Sequence, residues 1–275
     1  MKLSVITLPT APWDELVRRW RRLDALGFET IWTADHLVGV RRGGHWYAGW
    51  PTLAGIAHAT ERTRIGTLVS PITFHNPAQL VKAAVTVDHM SRGRLELGIG
   101  AGGSPVDHEL AHVERWPPAE RARRLRAFVE RVVELLGDES LQPAPLQAQI
   151  PLTIGGMARG TLRLAARFAG RWSSFGGGRG TQPEAAAEQA AEQNRELDSF
   201  CAELGRDPAE LTRSILIAHP WIVETPWRSE AAFHEMVERW RAAGMTEIVV
   251  YYPPETGMPA EAVTPGVFEA VFREG

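Results

Sequence analysis

The sequence predicts an α/β fold: a (β/α)8 TIM barrel built as a single domain over residues 1–275. Three observations lead there. Short β-branched runs alternate with longer amphipathic runs, eight times over. The short runs are continuously apolar, the pattern of strands buried on both faces of a parallel sheet. Residues able to carry chemistry collect just after these runs, at the strand ends where barrel enzymes keep their active sites. A length of 275 residues, 44% of them hydrophobic and 23% charged, suits one large barrel or two average domains, and no low-complexity linker divides the chain. An open, doubly wound sheet is the rival. It would place a glycine-rich phosphate loop after the first strand, where this chain has Pro9-Thr10-Ala11-Pro12.

Residues 3–8 read as a buried strand, punctuated by 9–12. Trp13, Leu16, Val17, Trp20, Leu23 and Leu26 then fall on one helical stripe, with Gly27 as the stop. A second strand over 30–34 ends in Asp35-His36, followed by a Gly- and Arg-containing loop and a helix over about 51–60. Strand three, 64–70, leads through 71–77 to a helix ending near Met90. After a turn at 91–93, strand four over 94–100 runs into Ala101-Gly102-Gly103. Residues 104–118 read as a long loop and 119–136 as a helix. Three further units pair strands over 151–155, 171–175 and 211–219 with helices over 158–168, 182–204 and 229–243. An eighth strand at 246–252 and a short helix near 265–272 close the series.

Composition removes several function classes. Thirty basic and 33 acidic residues are mixed along the chain, with a formal net charge of -3 and no basic stripe for nucleic acid. No apolar run approaches the ~20 residues of a membrane span, and the first residues lack the core and cleavage site of a secretory signal. A cytoplasmic protein is the expectation. The lone Cys201 permits neither a disulfide framework nor a cysteine metal site within the chain. Lys2 and Lys82 are the only lysines, and the arginine excess reads mainly as compositional bias, with phosphate binding as a minor alternative.

Among the residues at the strand ends, His36 suits a hydrogen-bond donor or a general acid or base near neutral pH, and Asp35 suits a loop-orienting role. Gly98, Gly100, Ala101 and Gly102 would let a flat ring or a phosphate approach the backbone. Gly155-Gly156-Met157-Ala158-Arg159 joins a strand to a helix N-terminus, whose amides suit a phosphate, with Arg159 adding charge. A plain tight turn is the competing reading. His45, Trp46, His75 and His108 are candidates for lining a substrate pocket. His108-Glu109-Leu110-Ala111-His112 also matches the H-E-x-x-H pattern of zinc hydrolases. It follows Pro105 in a loop-like segment and has no obvious third ligand downstream, so no metal is expected, and a zinc hydrolase stays as a rival of another class.

Four stretches resemble the bacterial luciferase-like flavin monooxygenase superfamily: 25–36, ending in Thr33-Ala34-Asp35-His36; 63–78, with Ser70-Pro71 and His75-Asn76-Pro77; 86–102, with Asp88-His89-Met90-Ser91-Arg92-Gly93; and 151–156 with 164–169. The resemblance covers the chain to about Trp172. It implies a barrel that binds FMN or the deazaflavin coenzyme F420. Residues after strands two, three and four, here Asp35, Ser70-Pro71 and the 98–102 glycines, would surround the ring. A non-prolyl cis peptide is implied after strand three, displaced by one position because Pro71 follows Ser70. The segment from Gly155 to Arg159 would hold the phosphate, and His36 matches the histidine near the reactive edge of a deazaflavin. Ala169-Gly170-Arg171 and His75 depart from the family pattern, which often has an acidic residue and an arginine there. The short chain and the Asp-His pair favour coenzyme F420, with hydride transfer to or from a small organic substrate. The alternatives are an FMN monooxygenase served by a reductase partner and a non-catalytic flavin-binding protein. A homodimer is also implied.

Overall fold

A computed structural model describes residues 1–39, 44–219, 221–253 and 260–272. The chain runs β1 (Lys2–Thr7), α1 (Trp13–Leu26), β2 (Thr30–Thr33), α2 (Gly49–Ala59), β3 (Arg64–Thr67), β4 (Ser70–Pro71) and α3 (Pro77–Met90). It continues with β5 (Leu95–Gly100), α4 (Pro105–Leu110), α5 (Pro118–Leu136), β6 (Leu152–Gly155), α6 (Arg159–Phe168) and β7 (Arg171–Ser174). The last elements are α7 (Pro183–Glu203), β8 (Thr212–Ile217), α8 (Glu230–Ala242), β9 (Glu247–Tyr251) and α9 (Val267–Ala270). Strand order is β3-β2-β1-β9-β8-β7-β6-β5-β4, and β3 also pairs with β5, so the sheet closes as the expected (β/α)8 barrel.

The chain expected to form one domain over 1–275 groups into two compact units: Met1–Thr7, Ala25–Glu29 and Gly156–Gly275 in one, Leu8–Asp24 and Thr30–Gly155 in the other. In the first unit, parallel β1, β9, β8 and β7 pair through registers such as Val5↔Val250, Ile215↔Ile248 and Ser174↔Ile215. Ala186, Ala190, Leu197 and Phe200 form the buried stripe of α7, and Phe233, Met236 and Trp240 that of α8. The buried Arg171 guanidinium pairs with Glu247, whose other oxygen accepts from Ser4 Oγ at 2.6 Å. This charge is thereby matched inside the unit, as a buried ion must be.

In the second unit, β2, β3, β5 and β6 are parallel and carry the apolar side chains Ile31, Trp32, Ile65, Leu97, Ile99 and Ile154. Gly66 is required opposite Trp32, because a Cβ there would lie 2.4 Å from the indole. Helix α1 buries Leu16, Trp20 and Leu23 as its stripe predicts, while Trp13 stays 39% exposed and packs edge-on to Trp20 and Tyr47. Arg94 closes the end of α2 by donating to the carbonyls of Ala57, Thr60 and Thr63.

Two predicted elements change. The strand expected over 64–70 is split into β3 and β4 around a non-prolyl cis peptide at Leu68–Val69, with Ser70 and Pro71 pairing to Ile99 and Gly100. The loop expected over 104–118 contains α4, because the Ser104 side chain accepts the Asp107 amide as an N-cap and Pro105 opens the first turn.

Candidate active site

Beyond β2 the chain stays extended enough for neighbouring side chains to face opposite ways. Asp35 is buried, and His36 is 46% exposed. His36 Nδ1 lies 2.5 Å from Asp107 Oδ2, and the other carboxylate oxygen accepts the Leu37 amide at 3.0 Å. Asp107 sits on α4, where Ser104 fixes its amide. Burial works against ionising this carboxyl, but His36, the Leu37 amide and Ser104 outweigh it and hold it below its ordinary value. An ionised Asp107 takes the Nδ1 proton as its hydrogen bond, which leaves His36 Nε2 facing outward. Trp46 Nε1 donates to the His36 carbonyl at 2.7 Å, and its ring covers Gly39, where a Cβ would lie 2.8 Å from Cε3. Trp46 therefore fixes the backbone of His36 rather than simply lining a pocket. His45 is exposed and stacked on Tyr47. Of the loop over 38–49, residues 40–43 lie outside the described residues.

Asp35 is a hub within the unit. Its Oδ2 accepts from Ser70 Oγ at 2.6 Å and from His75 Nε2 at 2.7 Å, and Ser70 Oγ in turn accepts from Trp50 Nε1 at 3.1 Å. Gly49 backs onto the carboxylate, since a Cβ there would lie 2.5 Å from Oδ1. The side chains of Asp35 and Ser70, which the family resemblance aims at a ring, are turned toward each other and buried with Pro71. His75 is 17% exposed and serves Asp35 before any pocket.

The glycines at the ends of β5 and β6 lie close against neighbouring parts of the chain. A Cβ at Gly98 would lie 1.9 Å from the Thr67 carbonyl, at Gly100 2.3 Å from Val69 Cγ2, and at Gly102 2.0 Å from Thr73 Oγ1. At Gly155 it would lie 3.0 Å from Val69 Cγ1. The missing side chains make room for the chain's own segment 67–73, and Ala101, half-buried, follows on the same turn.

His108 is 4% exposed, its Nδ1 faces the carbonyls of Val113 and Glu114, and its ring meets Trp116 edge-on. It ties the segment after α4 together. Helix α4 ends at Leu110, and His112 stands beyond it with a φ of 51°. The two imidazoles of the H-E-x-x-H pattern thus share no helix face.

In the other unit, Gly156 has a φ of 139°, a value open to glycine, and donates to Ser173 O at 3.0 Å. Trp172 Nε1 donates to Gly156 O and Gln193 Nε2 to Met157 O, which fixes the turn from both sides. Ala158 begins α6 with no side-chain cap, so the first-turn amides suit an anion. Arg159 is 74% exposed, pairs with Glu196 at 2.7 Å and lies over the Phe200 ring.

The family model for luciferase-like monooxygenases matches residues 1–261. The chain belongs to the luciferase-like monooxygenase family. Among curated relatives of this luciferase-like chain, a 4-hydroxyprotoasukamycin monooxygenase from Streptomyces nodosus subsp. asukaensis is 30% identical over 83% of this chain and 63% of its own length. An F420-dependent glucose-6-phosphate dehydrogenase from Amycolatopsis mediterranei is 35% identical over 44% of this chain and 37% of its own. The chain thus spans less than two thirds of either relative. Among solved structures, an F420-dependent secondary alcohol dehydrogenase superposes with a TM-score of 0.79 at 14% identity, covering 98% of this chain and 97% of that one. The F420-dependent tetrahydromethanopterin reductase of Methanopyrus kandleri gives 0.73, also at 14%, covering 99% and 97%. At these identities the likeness shows the fold.

Asp107, between the candidates at Gly102 and His108, is a site residue that the motifs do not single out. The available signal was Ser104-Pro105-Val106-Asp107, an N-cap, a first-turn proline and an acidic residue three positions on.

Proposed function

We propose that this luciferase-like chain is an oxidoreductase that binds coenzyme F420 and moves a hydride between it and a small organic substrate. The observation that carries the reading is the His36–Asp107 pair, with Nδ1 held on a half-exposed imidazole. The residues fit such a cofactor: the glycine-only turn at Gly156 and the uncapped α6 suit its phosphate. Gly156, Met157 and Ala158 would hold the phosphate. When bound, the deazaflavin supplies hydride transfer.

The chain's own part is proton handling and orientation. His36 Nε2 takes the hydroxyl proton of an alcohol as it is oxidised, or returns one to a carbonyl oxygen as it is reduced. Asp107 stabilises the imidazolium and keeps the ring in one tautomer. Asp35, Ser70 and His75 fix the strand end from which His36 projects.

The family name and the relative from Streptomyces support a second reading, an FMN monooxygenase fed by a reductase partner. A cytoplasmic homodimer in which residues 1–275 work as one domain belongs to either version. No helix among the described residues is long and apolar enough to cross a membrane. Titrating the purified chain with F420 and with FMN, each followed by its own fluorescence, tests the proposal. Binding of F420 with turnover of an alcohol or aldehyde panel is expected; binding of FMN alone favours the monooxygenase, and binding of neither overturns both.

A further inference from the structure

Phe175 and Trp221 follow β7 and β8, at the carboxyl ends that carry the chemistry in (β/α)8 enzymes. Both belong to the unit that contains residues 156–275. They are 38% and 45% exposed, unusual for large apolar side chains, and Val223 beside them is 38% exposed. Their rings meet at a centroid distance of 6.5 Å and an angle of 69°. An edge-to-face pair of this kind leaves a ring face open for another flat group.

The two segments are fixed in place. Trp221 N donates to Ala218 O at 2.7 Å, Thr181 N donates to Trp221 O at 3.0 Å, and Val223 N donates to Thr181 O at 3.0 Å. Between Trp221 and Val223, Ile222 is fully buried, so alternation sends its two neighbours outward together. Ile222 sits against Gly176, where a Cβ would lie 2.3 Å from Cδ1, and Gly176 N donates to Ser174 Oγ. The exposed rings are therefore presented by a bonded frame, which lowers the ordering cost of binding.

Size decides what they receive. At 38–45% exposure, rings of this class offer about 60–110 Å² each, far below the ~800 Å² per partner of a stable protein interface. One or two fused rings would cover them. The geometry points to a binding shelf for a flat, aromatic small molecule, built from Phe175, Trp221 and Val223. Resting on the proposed oxidoreductase reading, the shelf sets the ligand class as aromatic or polycyclic alcohols and carbonyls rather than sugar phosphates.

Calorimetric titration of the full chain with 2-naphthol, its saturated decahydro analogue and glucose 6-phosphate tests this, with bound F420 followed separately by its absorption. We expect 2-naphthol to bind and the other two to bind at least tenfold more weakly. Trp221→Ala or Phe175→Ala should weaken naphthol binding by about 3–10-fold, with Trp221→Phe close to wild type. Circular dichroism checks the fold, and if Trp221→Ala does not fold, Val223→Asn probes the same face. Equal affinity in wild type and variants overturns the shelf. So does a dimer that Trp221→Ala dissociates while naphthol binding is unchanged, since the face then belongs to a second copy. Naphthol binding that depends on Trp221 in a chain that takes up no F420 sustains the shelf and overturns the oxidoreductase reading instead.

Discussion

His36 and Asp107 are 71 positions apart in the chain, and their side chains meet at 2.5 Å through Nδ1 and Oδ2. The first stands at the end of a strand and the second on a six-residue helix, so the pair exists only because α4 folds back over the end of β2.

Replacing His36 with Ala removes the outward imidazole with little loss of packing, because the side chain is 46% exposed. Turnover should fall by about 10²–10⁴-fold, with a melting temperature close to wild type and cofactor affinity retained. Steady-state kinetics beside thermal unfolding checks this; unchanged turnover removes His36 from the mechanism.

Asp107→Asn keeps the shape and removes the charge, so the amide no longer fixes the His36 tautomer. Activity should drop by on the order of 10²-fold. Because the folded carboxyl lies below its ordinary value, the interaction is complete above the unfolded value of about 3.9 and is lost as pH falls through the lowered one. Wild-type stability should therefore show an acid limb that the variant lacks, readable as the difference between their unfolding curves at pH 7 and pH 3.

His75→Ala leaves the buried Asp35 carboxylate with Ser70 as its remaining side-chain donor among the described residues. A loss of about 1–3 kcal/mol is expected, together with a fall in kcat through displacement of His36. His75→Gln, which restores a donor, should recover most of both. A stability loss with unchanged kcat would limit His75 to a structural role.

Asp24 joins the end of α1 to the turn before β3 by accepting the amides of Glu61, Arg62 and Thr63. Burial opposes its charge, but those amides prevail and hold its carboxyl below the ordinary range. Asp24→Ala should cost about 2–4 kcal/mol at neutral pH. The gap from wild type should narrow in acid, as pH falls through the lowered value and the native carboxylate is protonated.

Gly98→Ala forces a Cβ to within 1.9 Å of the Thr67 carbonyl and should destabilise by about 3 kcal/mol or more. Gly160→Ala, with nothing within 4 Å of the new atom, should be neutral or stabilising by about 0.5–1 kcal/mol. Chemical denaturation of the two variants reads the contrast.

The sequence by itself determined the barrel, the order of its strands and helices apart from the split third strand and α4, and the placement of Asp35-His36 at a strand end. Those features rest on periodicity and chain direction, which are local: a continuous apolar run is buried on both faces whatever it meets. It also located the turn from Gly155 to Ala158, because glycine followed by a helix start is a short-range pattern. Tertiary structure alone decided the partners. Gly98 packs against the Thr67 carbonyl and Gly100 against Val69, and Arg159 pairs with Glu196. His108 and Asp107 are separated by one peptide bond, yet one turns inward to its own loop and the other across to His36. Side-chain direction on a short helix and contacts between distant segments depend on how the loops pack, and no spacing within the chain encodes that.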